Sequence, residues 1–288
     1  MKCIGVIANC GKPQAGDVLQ RVATEAARLN LELVVCDETR TLLPSARSLT
    51  LPEFTDIVDG VLTLGGDGTM LHTVRILAEA AKPVLGVNLG SLGFMTHVPQ
   101  CEVEAAIGAL AADTFALSAR TMLGGRVYRA GNIVAQTMAL NDIVVGWGQS
   151  SRAMTLGLTV DGDEVAEYLC DGLIVSTPTG STGHALSSGG PIVMPTAPVF
   201  NMNVICPHSL SARPLVLPDT CTIRVNILQL PSEKCPLLSA DGQDEFVLQR
   251  EDVLEINRYP HHALFVQLPD HLYFAVLRQK LHWRGSAR

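Results

Sequence analysis

The stretch Gly65-Gly66-Asp67-Gly68-Thr69 decides how the rest of the chain is interpreted. An apolar run precedes it at residues 60–64, and apolar residues at helical spacing follow it from Met70. This order predicts a buried strand, a glycine turn, and a helix whose first N–H groups can bind phosphate. Because a carboxylate repels phosphate, we expect Asp67 to accept a proton or to help hold a metal ion, unless it only caps the helix in a surface turn.

The residues around this turn predict a Rossmann-like α/β domain with a parallel sheet. Strands are predicted at residues 3–8, 31–36, 60–64 and 83–88, and helices at 18–29, from 70 to about 81, and at 102–112. Asp17 is expected to cap the first helix and Asn30 to end it, and residues 39–52 are expected to form a surface loop. A second glycine-rich turn, residues 89–94, follows the fourth strand, and ligands of such sheets bind at the carboxyl ends of the strands.

From about residue 115 the helical pattern gives way to short β-rich runs. Turn sequences separate them at Gly124-Gly125, Gly131-Asn132, Asp161-Gly162 and Asp241-Gly242. This spacing predicts an antiparallel sandwich or barrel. We therefore predict an α/β domain at residues 1–115, an all-β domain at 116–269, and a C-terminal segment, 270–288, that packs back on the first domain.

The composition excludes several classes of protein. Of the 288 residues, 47% are hydrophobic and 17% charged, and the net charge of −7 offers no positive field to nucleic acid or to an anionic membrane. No apolar run is long enough to span a bilayer. The eight cysteines form no C-x-x-C pair, which indicates neither a zinc motif nor a redox pair. We expect free thiols, a cytoplasmic location, and neither nucleic-acid nor membrane partners.

A second unusual stretch, residues 171–186, runs from an apolar strand into a block of hydroxyls and glycines. The block is Ser176-Thr177-Pro178-Thr179-Gly180-Ser181-Thr182-Gly183-His184, with a short helix predicted to begin near Thr182. Hydroxyl and N–H groups at a helix start can recognise ribose, amide or phosphate groups, although a plain polar loop is the alternative. Upstream, Asn141-Asp142 stands at the head of a predicted strand, where it either binds a ribose diol or caps a turn.

Taken in order, these motifs resemble those of the NAD kinase family. They are residues 65–69, residues 88–94, Asn141-Asp142, residues 171–182, and Asp241-Gly242-Gln243, and together they span most of the chain from residue 60 to residue 243. Gly-Gly-Asp-Gly alone is shared with phosphofructokinases and with diacylglycerol and sphingosine kinases. The Thr-Pro-Thr-Gly-Ser-Thr block with an upstream Asn-Asp pair is far more specific.

The resemblance implies a reaction and an architecture. The reaction is transfer of the γ-phosphoryl group of ATP to the 2′-hydroxyl of the NAD adenosine ribose, which gives NADP. The architecture is an N-terminal α/β domain and a C-terminal all-β domain, with the site in the cleft between them. A divalent metal, usually magnesium, and a homodimer or homotetramer are implied as well.

The resemblance also assigns roles to individual residues. Asp67 is the proton acceptor, Phe94 packs against adenine, and Asp171 bonds the nicotinamide amide. No protein ligand to a metal is assigned, and His72 and Arg152 have the alternative of being ordinary surface side chains. The residues implied to bind ATP phosphates are Gly65, Gly66, Gly68 and Thr69. The residues implied to bind NAD are Asp67, Gly68, His72, Phe94, Asn141, Asp142, Arg152, Asp171, Thr179, Thr182, Gly183, His184, Ala185, Ser187 and Gln243.

One stretch departs from the family pattern. Where the family commonly has Thr-Ala-Tyr, this chain has Thr182-Gly183-His184, so a polar imidazole that can titrate replaces a flat aromatic wall. This change concerns the shape of the NAD pocket more than the chemistry. Two other functions stay open: a lipid or other small-molecule kinase that shares only the glycine turn, and a non-catalytic NAD-binding protein. The ribose-binding stretches argue against the first, and the retained Asp67 argues against the second.

Overall fold

The chain divides into two units, Met1–Ala119 with Ala263–Arg288, and Arg120–His262. The structure is a computed structural model that describes residues 1–77, 79–147, 153–230, 235–269 and 273–283. The α/β class of the first unit and the all-β class of the second confirm the predicted fold class.

The first unit is built on an eight-stranded sheet in the order β3-β2-β1-β4-β5-β20-β7, with β6 paired to β5. Pairing is parallel from β3 through β20. The strands are β1 (Cys3–Ala8), β2 (Glu32–Val35), β3 (Arg47–Ser48), β4 (Gly60–Gly65), β5 (Pro83–Asn88), β6 (Val98–Pro99), β7 (Ala116–Arg120) and β20 (Ala263–Gln267). The helices are α1 (Ala15–Arg28), α2 (Leu51–Ile57), α3 (Asp67–Leu77), α4 (Val103–Ala111) and α6 (Tyr273–Lys280).

The order of these strands creates a crevice at the carboxyl edge of the sheet. From β1 the chain moves to β2 on one side, and after β3 it returns to β4 on the other side of β1. Loops that leave adjacent strands in opposite directions cannot cover the edge between them, and open α/β sheets bind ligands at this point. The glycine turn after β4 lies here.

Helix α1 shows both a confirmed and a wrong prediction. Its apolar residues Val18, Leu19 and Val22 are buried, as the helical spacing predicts. Asp17 is not the cap, because the helix begins earlier, at Ala15, and Asp17 lies in its first turn. Asn30 ends the helix as predicted, with φ of 57°, in the left-handed conformation that asparagine tolerates.

Residues 39–52 lie mostly at the surface as predicted, but the prediction of a loop was wrong for part of the segment. The segment holds the last turn of a 3-10 helix, strand β3 and the start of α2. Glu53 Oε2 accepts hydrogen bonds from Thr50 N–H at 3.0 Å and from the Thr50 hydroxyl at 2.7 Å. This is the T-x-x-E capping pattern, and its residues, Thr50 and Glu53, are visible in the sequence. Helix α3 ends at Leu77, short of the predicted limit near residue 81, and Ala81 with φ of 47° lies in the turn that follows.

The second unit is a sandwich of two six-stranded sheets, β15-β14-β13-β10-β17-β18 and β12-β11-β16-β19-β8-β9. Side chains from both sheets, such as Val175 and Leu156, form one core. The first sheet contains β10 (Asp142–Gly146), β13 (Gly172–Ser176), β14 (Val199–Ile205), β15 (Leu215–Pro218), β17 (Leu237–Ala240) and β18 (Asp244–Val247). The second contains β8 (Leu123–Arg129), β9 (Asn132–Ala139), β11 (Met154–Val160), β12 (Asp163–Cys170), β16 (Ile223–Gln229) and β19 (Val253–Arg258). One short helix, α5 (His184–Ser187), follows β13.

Three of the four predicted turns lie between strands, and one does not. Gly131, Gly162 and Gly242 have positive φ and connect adjacent strands. Gly124-Gly125, however, lies inside β8. A β-carbon on Gly125 would lie 3.0 Å from Ile143 Cδ1 and 3.1 Å from Thr137 Cγ2, so this glycine serves close packing rather than a turn.

No helix in the described part of the chain is both long and apolar enough to cross a lipid bilayer.

Candidate active site

The glycine turn connects β4 to α3 as predicted, and its glycines differ in purpose. A β-carbon on Gly65 would lie 2.6 Å from Thr69 Cβ and closer still to Thr69 Oγ1, so this position must be glycine for α3 to pack on the strand. Gly66 and Gly68 have open space where a β-carbon would be. Their backbone is therefore accessible to a ligand at the start of the helix.

Asp67 is the first residue of α3, and its carboxylate is held by the second glycine turn. It accepts hydrogen bonds from Phe94 N–H at 2.9 Å, Met95 N–H at 3.0 Å, Thr96 N–H at 3.1 Å and the Thr96 hydroxyl at 3.2 Å. Gly93 is required beside it, since a β-carbon there would lie 2.8 Å from Asp67 Cγ. The two glycine motifs thus form one structure, with the carboxylate at its centre.

A cavity of about 320 Å³ lies at the crevice between the ends of β1 and β4. Gly68, Thr69 and His72 contribute from α3, and His72 is exposed. Residues after β1 form the opposite wall, among them Asn9, Cys10 and Gly11. The volume and the accessible backbone suit a phosphate-bearing ligand.

Lys12 belongs to none of the sequence motifs, yet it lies beside the second glycine turn and is a further candidate for the site. Its Nζ lies 3.8 Å from the place that a β-carbon on Gly90 would take. The side chain therefore extends from the loop after β1 to the loop after β5, along the edge that carries Asp67. A cation in a loop that directly follows a parallel strand was the available signal.

Phe94 has a neighbour that the motifs did not predict. The Nζ of Lys280, from α6, lies 5.5 Å from the centre of the Phe94 ring, within the range of a cation–π contact. The C-terminal helix thus supports the loop that holds Asp67.

In the second unit, Asp241 organises the Asn141-Asp142 motif. Its carboxylate accepts hydrogen bonds from the N–H groups of Leu140 at 2.8 Å, Asn141 at 2.7 Å and Asp142 at 3.1 Å. Asp241 itself has φ of 54° in the hairpin that joins β17 and β18. The Asp-Gly-Gln motif is therefore both a hairpin turn and a clamp on the Asn-Asp pair.

The hydroxyl-rich block packs against the same pair. Thr177 donates from N–H to the Asn141 carbonyl at 2.8 Å and from Oγ1 to the Leu140 carbonyl at 2.5 Å. A β-carbon on Gly180 would lie 2.5 Å from the Asn141 carbonyl carbon and closer still to its oxygen. The glycine in Thr-Pro-Thr-Gly is thus required for the block to reach the Asn-Asp motif.

Two polar atoms in this cluster have no hydrogen-bond partner among the residues that the structure describes. They are Oδ1 of Asn141 and Oγ1 of Thr179, and both are buried. A buried oxygen without a partner costs about 1–3 kcal/mol unless a ligand or water bonds it. These two atoms are accordingly candidates to bond the hydroxyl or amide groups of a ligand.

Asp142 is the buried acid of the second unit, with an exposure of 7%. Burial, and then the neighbouring charge of Asp241, raise the pKa of Asp142 from 3.8 to about 7. Near neutral pH the carboxyl group can therefore donate a hydrogen bond in one form and accept it in the other.

We expect the wild type to lose stability as the pH rises, because Asp142 must ionise while buried, and we expect Asp142→Asn to abolish this loss. The unfolded chain releases this proton near pH 4 and the folded protein holds it until about pH 7, so the free energy of unfolding falls as the pH rises between these values. At about 1.4 kcal/mol per unit of pKa, the free energy of unfolding of the wild type should fall by about 3 kcal/mol between pH 5 and pH 8. That of the variant should not show this fall. Urea unfolding at both pH values measures this. Asp163→Asn, which changes an exposed carboxylate of β12, is the control, and a variant at position 142 that loses stability with pH as the wild type does would contradict the burial argument.

The described residues contain no three His, Cys, Asp or Glu side chains that could together hold a metal ion. Asp67 accepts from backbone N–H groups of the first unit. Asp241 accepts from backbone N–H groups of the second unit, to which it belongs. Neither arrangement is a protein-built metal centre.

Comparison with known proteins agrees with both units. The description "ATP-NAD kinase N-terminal domain" matches residues 4–115, and "ATP-NAD kinase C-terminal domain" matches residues 140–268. The chain is 38% identical over 288 residues to an NAD kinase of Azoarcus sp. (strain BH72), covering 98% of this chain and 97% of that one. The chain belongs to the ATP-NAD kinase family. An NAD kinase of Moorella thermoacetica is 37% identical over 286 residues, covering 99% of this chain and 91% of that one.

A solved structure has the same fold. Yeast NADH kinase, determined in complex with NADH, aligns with a TM-score of 0.90 and 26% identity, covering 100% of this chain and 89% of the yeast chain. The family membership confirms the resemblance that the motifs indicated.

The structure brings together some of the residues that the ATP-NAD kinase motifs single out, unit by unit. In the first unit Asp67 contacts the Phe94 backbone, while Gly68, Thr69 and His72 line one cavity. In the second, Asn141 adjoins Gly180 and lies 3.9 Å, through Nδ2, from the β-carbon position of Gly183. The Thr182 hydroxyl donates to the Thr179 carbonyl at 3.4 Å.

The remaining residues predicted to bind NAD are not brought together with these groups in the same way. Asp171 precedes β13, whereas Ser176, at the other end of that strand, pairs with Asp142, so Asp171 lies about 17 Å away at roughly 3.3 Å per residue. Ala185 is fully buried, and its carbonyl accepts from Asn203 Nδ2 at 3.1 Å. Arg152 lies outside the described residues. The three remaining predicted contacts are exposed: His184, Ser187 and Gln243.

Proposed function

We propose that this protein is an NAD kinase, which transfers the γ-phosphoryl group of ATP to the 2′-hydroxyl of the NAD adenosine ribose and so makes NADP. The observation that carries the proposal is the Asp67 carboxylate, oriented by four hydrogen bonds at the carboxyl edge of a parallel sheet beside accessible glycine backbone. Membership in a family whose description includes both ATP and NAD supports the choice of donor and acceptor.

Asp67 would act as the proton acceptor of the reaction. A ribose hydroxyl is a weak nucleophile until its proton is taken as it attacks phosphorus. The hydrogen bonds to Asp67 fix where the carboxylate points, so the base needs no reorganisation when substrate arrives. The first turn of α3, with open space at Gly66 and Gly68, would seat phosphate oxygens.

The charge of the triphosphate needs positive partners, because phosphoryl transfer depends mostly on positioning and on charge neutralisation. As no described cluster of side chains could hold a metal by itself, we propose that magnesium enters as the complex of ATP. Lys12, at the same edge of the sheet, would add a cation from the protein.

Lys12→Met is expected to raise the KM for ATP about 10- to 100-fold, with the affinity for NAD changed less than twofold. The reason is loss of a charge-assisted contact to phosphate, which contributes about 1.5–3 kcal/mol. Steady-state kinetics with each substrate varied in turn measures both effects. Lys82→Met is the matched control, since Lys82 precedes β5 at the opposite edge of the sheet. Equal KM values for ATP in the two variants would remove Lys12 from the phosphate site.

The second unit would supply the contacts to NAD. Asn141 Oδ1 and Thr179 Oγ1, buried without a partner in the described part of the chain, would bond hydroxyl or amide groups of the dinucleotide, and Asp142 would bond a ribose hydroxyl. The other predicted NAD contacts, including Asp171, Thr182 and His184, remain part of the proposal. So do the domain limits at residues 115 and 269, assembly as a homodimer or homotetramer, and a cytoplasmic location.

An assay coupled to an NADP-specific dehydrogenase tests the function. Purified protein with ATP, magnesium and NAD should produce NADP continuously. Binding of NAD without formation of NADP would indicate a non-catalytic NAD-binding protein. Phosphorylation of a lipid or another small alcohol, without formation of NADP, would indicate a lipid or small-molecule kinase.

A further inference from the structure

The two oxygens of the Asp67 carboxylate have unequal surroundings. Oδ1 accepts three hydrogen bonds, from Met95 N–H, Thr96 N–H and Thr96 Oγ1, at 3.0, 3.1 and 3.2 Å. Oδ2 accepts one, from Phe94 N–H, at 2.9 Å. A carboxylate has about four acceptor positions, two on each oxygen. Oδ1 is therefore saturated, while Oδ2 keeps a position for one further donor.

The hydroxyl of Thr96 can donate in one direction only, because Asn88 occupies its acceptor side. Gly90 N–H donates to Asn88 Oδ1 at 2.6 Å, which identifies Nδ2 as the other end of the amide. Asn88 Nδ2 then donates to the Ser91 carbonyl at 2.7 Å and to Thr96 Oγ1 at 3.1 Å. Since the hydroxyl has a single proton and accepts from Asn88, that proton points to Asp67.

Packing holds this relay in place. Asn88 is 6% exposed and Thr96 is fully buried. A β-carbon on Gly86 would lie 2.8 Å from Thr96 Cγ2, so the methyl of Thr96 fills the space over a glycine of β5. With the methyl on that side, the hydroxyl of this β-branched residue must face Asp67.

We propose that Thr96 and Asn88 are positioning residues for the phosphoryl transfer. Their relay makes Oδ1 of Asp67 the anchoring oxygen and leaves Oδ2 as the atom that takes the proton of the ribose hydroxyl. In that step the ribose O–H bond breaks, its proton bonds to Oδ2, the ribose oxygen bonds to the γ-phosphorus, and ADP leaves with the electrons of the broken P–O bond. The inference rests on the proposed NAD kinase function. Thr96 and Asn88 act through Asp67 and do not contact the substrate themselves.

Thr96→Val and Thr96→Ser separate the hydroxyl from the methyl. Valine keeps the shape and loses the donor to Oδ1, so kcat should fall about 10- to 100-fold, the effect of losing one hydrogen bond to a charged group. The KM values for NAD and ATP should stay within about twofold of the wild type, since the binding groups are intact. Serine keeps the donor, so Thr96→Ser should retain kcat within about threefold.

Asn88 is tested through its dependence on Thr96. If it acts by directing the hydroxyl proton, Asn88→Ala should lower kcat in the wild-type background and lower it much less in the Thr96→Val background. Thr63→Val is the matched control. Thr63 is equally buried in β4 and donates to Thr73 Oγ1 at 3.0 Å, so its loss should reduce stability without changing kcat.

A second measurement follows the anchor without relying on activity. Amide hydrogen exchange should be at least about 10-fold faster than in the wild type or in Thr63→Val at residues 95 and 96 of Thr96→Val, and at residue 94 of Asp67→Asn, where the new NH₂ group faces the Phe94 N–H, because exchange follows local opening.

Three results would overturn the proposal. Wild-type kcat in Thr96→Val would show that the hydroxyl does not position the base. A rise in kcat would show that the turn restrains Asp67 from acting. Unchanged exchange at residues 94–96 in both variants would show that the carboxylate does not hold the turn. Failure of the kinase function itself is distinguishable, since it is the absence of NADP with wild-type protein, whereas the exchange data test the anchor in either case.

Discussion

Asp67→Asn is expected to lower the rate of NADP formation by about 100- to 10,000-fold while NAD still binds, because the variant loses its proton acceptor. Asparagine can keep its oxygen at the Oδ1 position, where Met95 and Thr96 donate. Its NH₂ group then replaces Oδ2, faces the Phe94 N–H and has no affinity for a further proton. Steady-state turnover and calorimetric titration with NAD measure the two quantities separately.

Asp59→Asn is the matched control for that experiment. The Asp59 carboxylate also accepts from backbone N–H groups, those of Lys2 at 2.6 Å and Cys3 at 3.0 Å, but at the amino end of β1. Its replacement should reduce stability and leave turnover unchanged. Turnover of Asp67→Asn within threefold of the control would remove Asp67 from the role of base.

Gly180→Ala is expected to weaken NAD binding at least about 10-fold and to lower the free energy of unfolding by about 1–3 kcal/mol, a typical cost of overpacking. The new β-carbon would lie 2.5 Å from the carbonyl carbon and 2.6 Å from the Cα of Asn141. These are backbone atoms that Thr177 and Asp241 hold by hydrogen bonds, so they cannot move without displacing the Asn-Asp motif. Calorimetric titration with NAD and urea unfolding measure the two effects.

Gly146→Ala provides the comparison within the same unit. Gly146 ends β10, and a β-carbon there would make an ordinary contact of 3.8 Å with Val144 Cγ1. That variant should bind NAD and unfold as the wild type does. Wild-type affinity in Gly180→Ala would mean that the hydroxyl-rich block does not shape the NAD site.

The parts of the fold that the sequence predicted well are those set by local pattern. Apolar runs such as residues 83–88 become buried strands, and the hairpin glycines Gly162 and Gly242 take positive φ. The errors arise where tertiary contacts decide. Gly125 lies in a strand, where Ile143 and Thr137 pack tightly over it, and no local pattern distinguishes such a packing glycine from a turn glycine.

The chemistry of the site was predictable from residue types, whereas the hydrogen bonds that hold its carboxylates in place were not. Asp67 stands out in its own motif, but the amides that hold it come from residues 27 to 29 positions later. Likewise Asp241 clamps N–H groups about a hundred positions earlier, at 140–142, although its motif alone indicates a hairpin. Such contacts depend on which strands are neighbours, and a single sequence does not contain that information.

The distance of Asp171 from the Asn-Asp pair has a different origin, the length of strand β13. Its motif is continuous with the block at residues 176–184, so proximity in sequence suggests a common site. The strand between them, however, separates its two ends by about 17 Å at roughly 3.3 Å per residue.

Transfer of radioactive phosphate tests the central claim most directly. Wild-type protein with magnesium, NAD and ATP labelled at the γ-phosphorus should place the label in the 2′-phosphate of NADP, and Asp67→Asn should place there about 1% of that label or less in the same time. Label absent from NADP with wild-type protein that binds NAD, or incorporated equally by both proteins, would contradict the account.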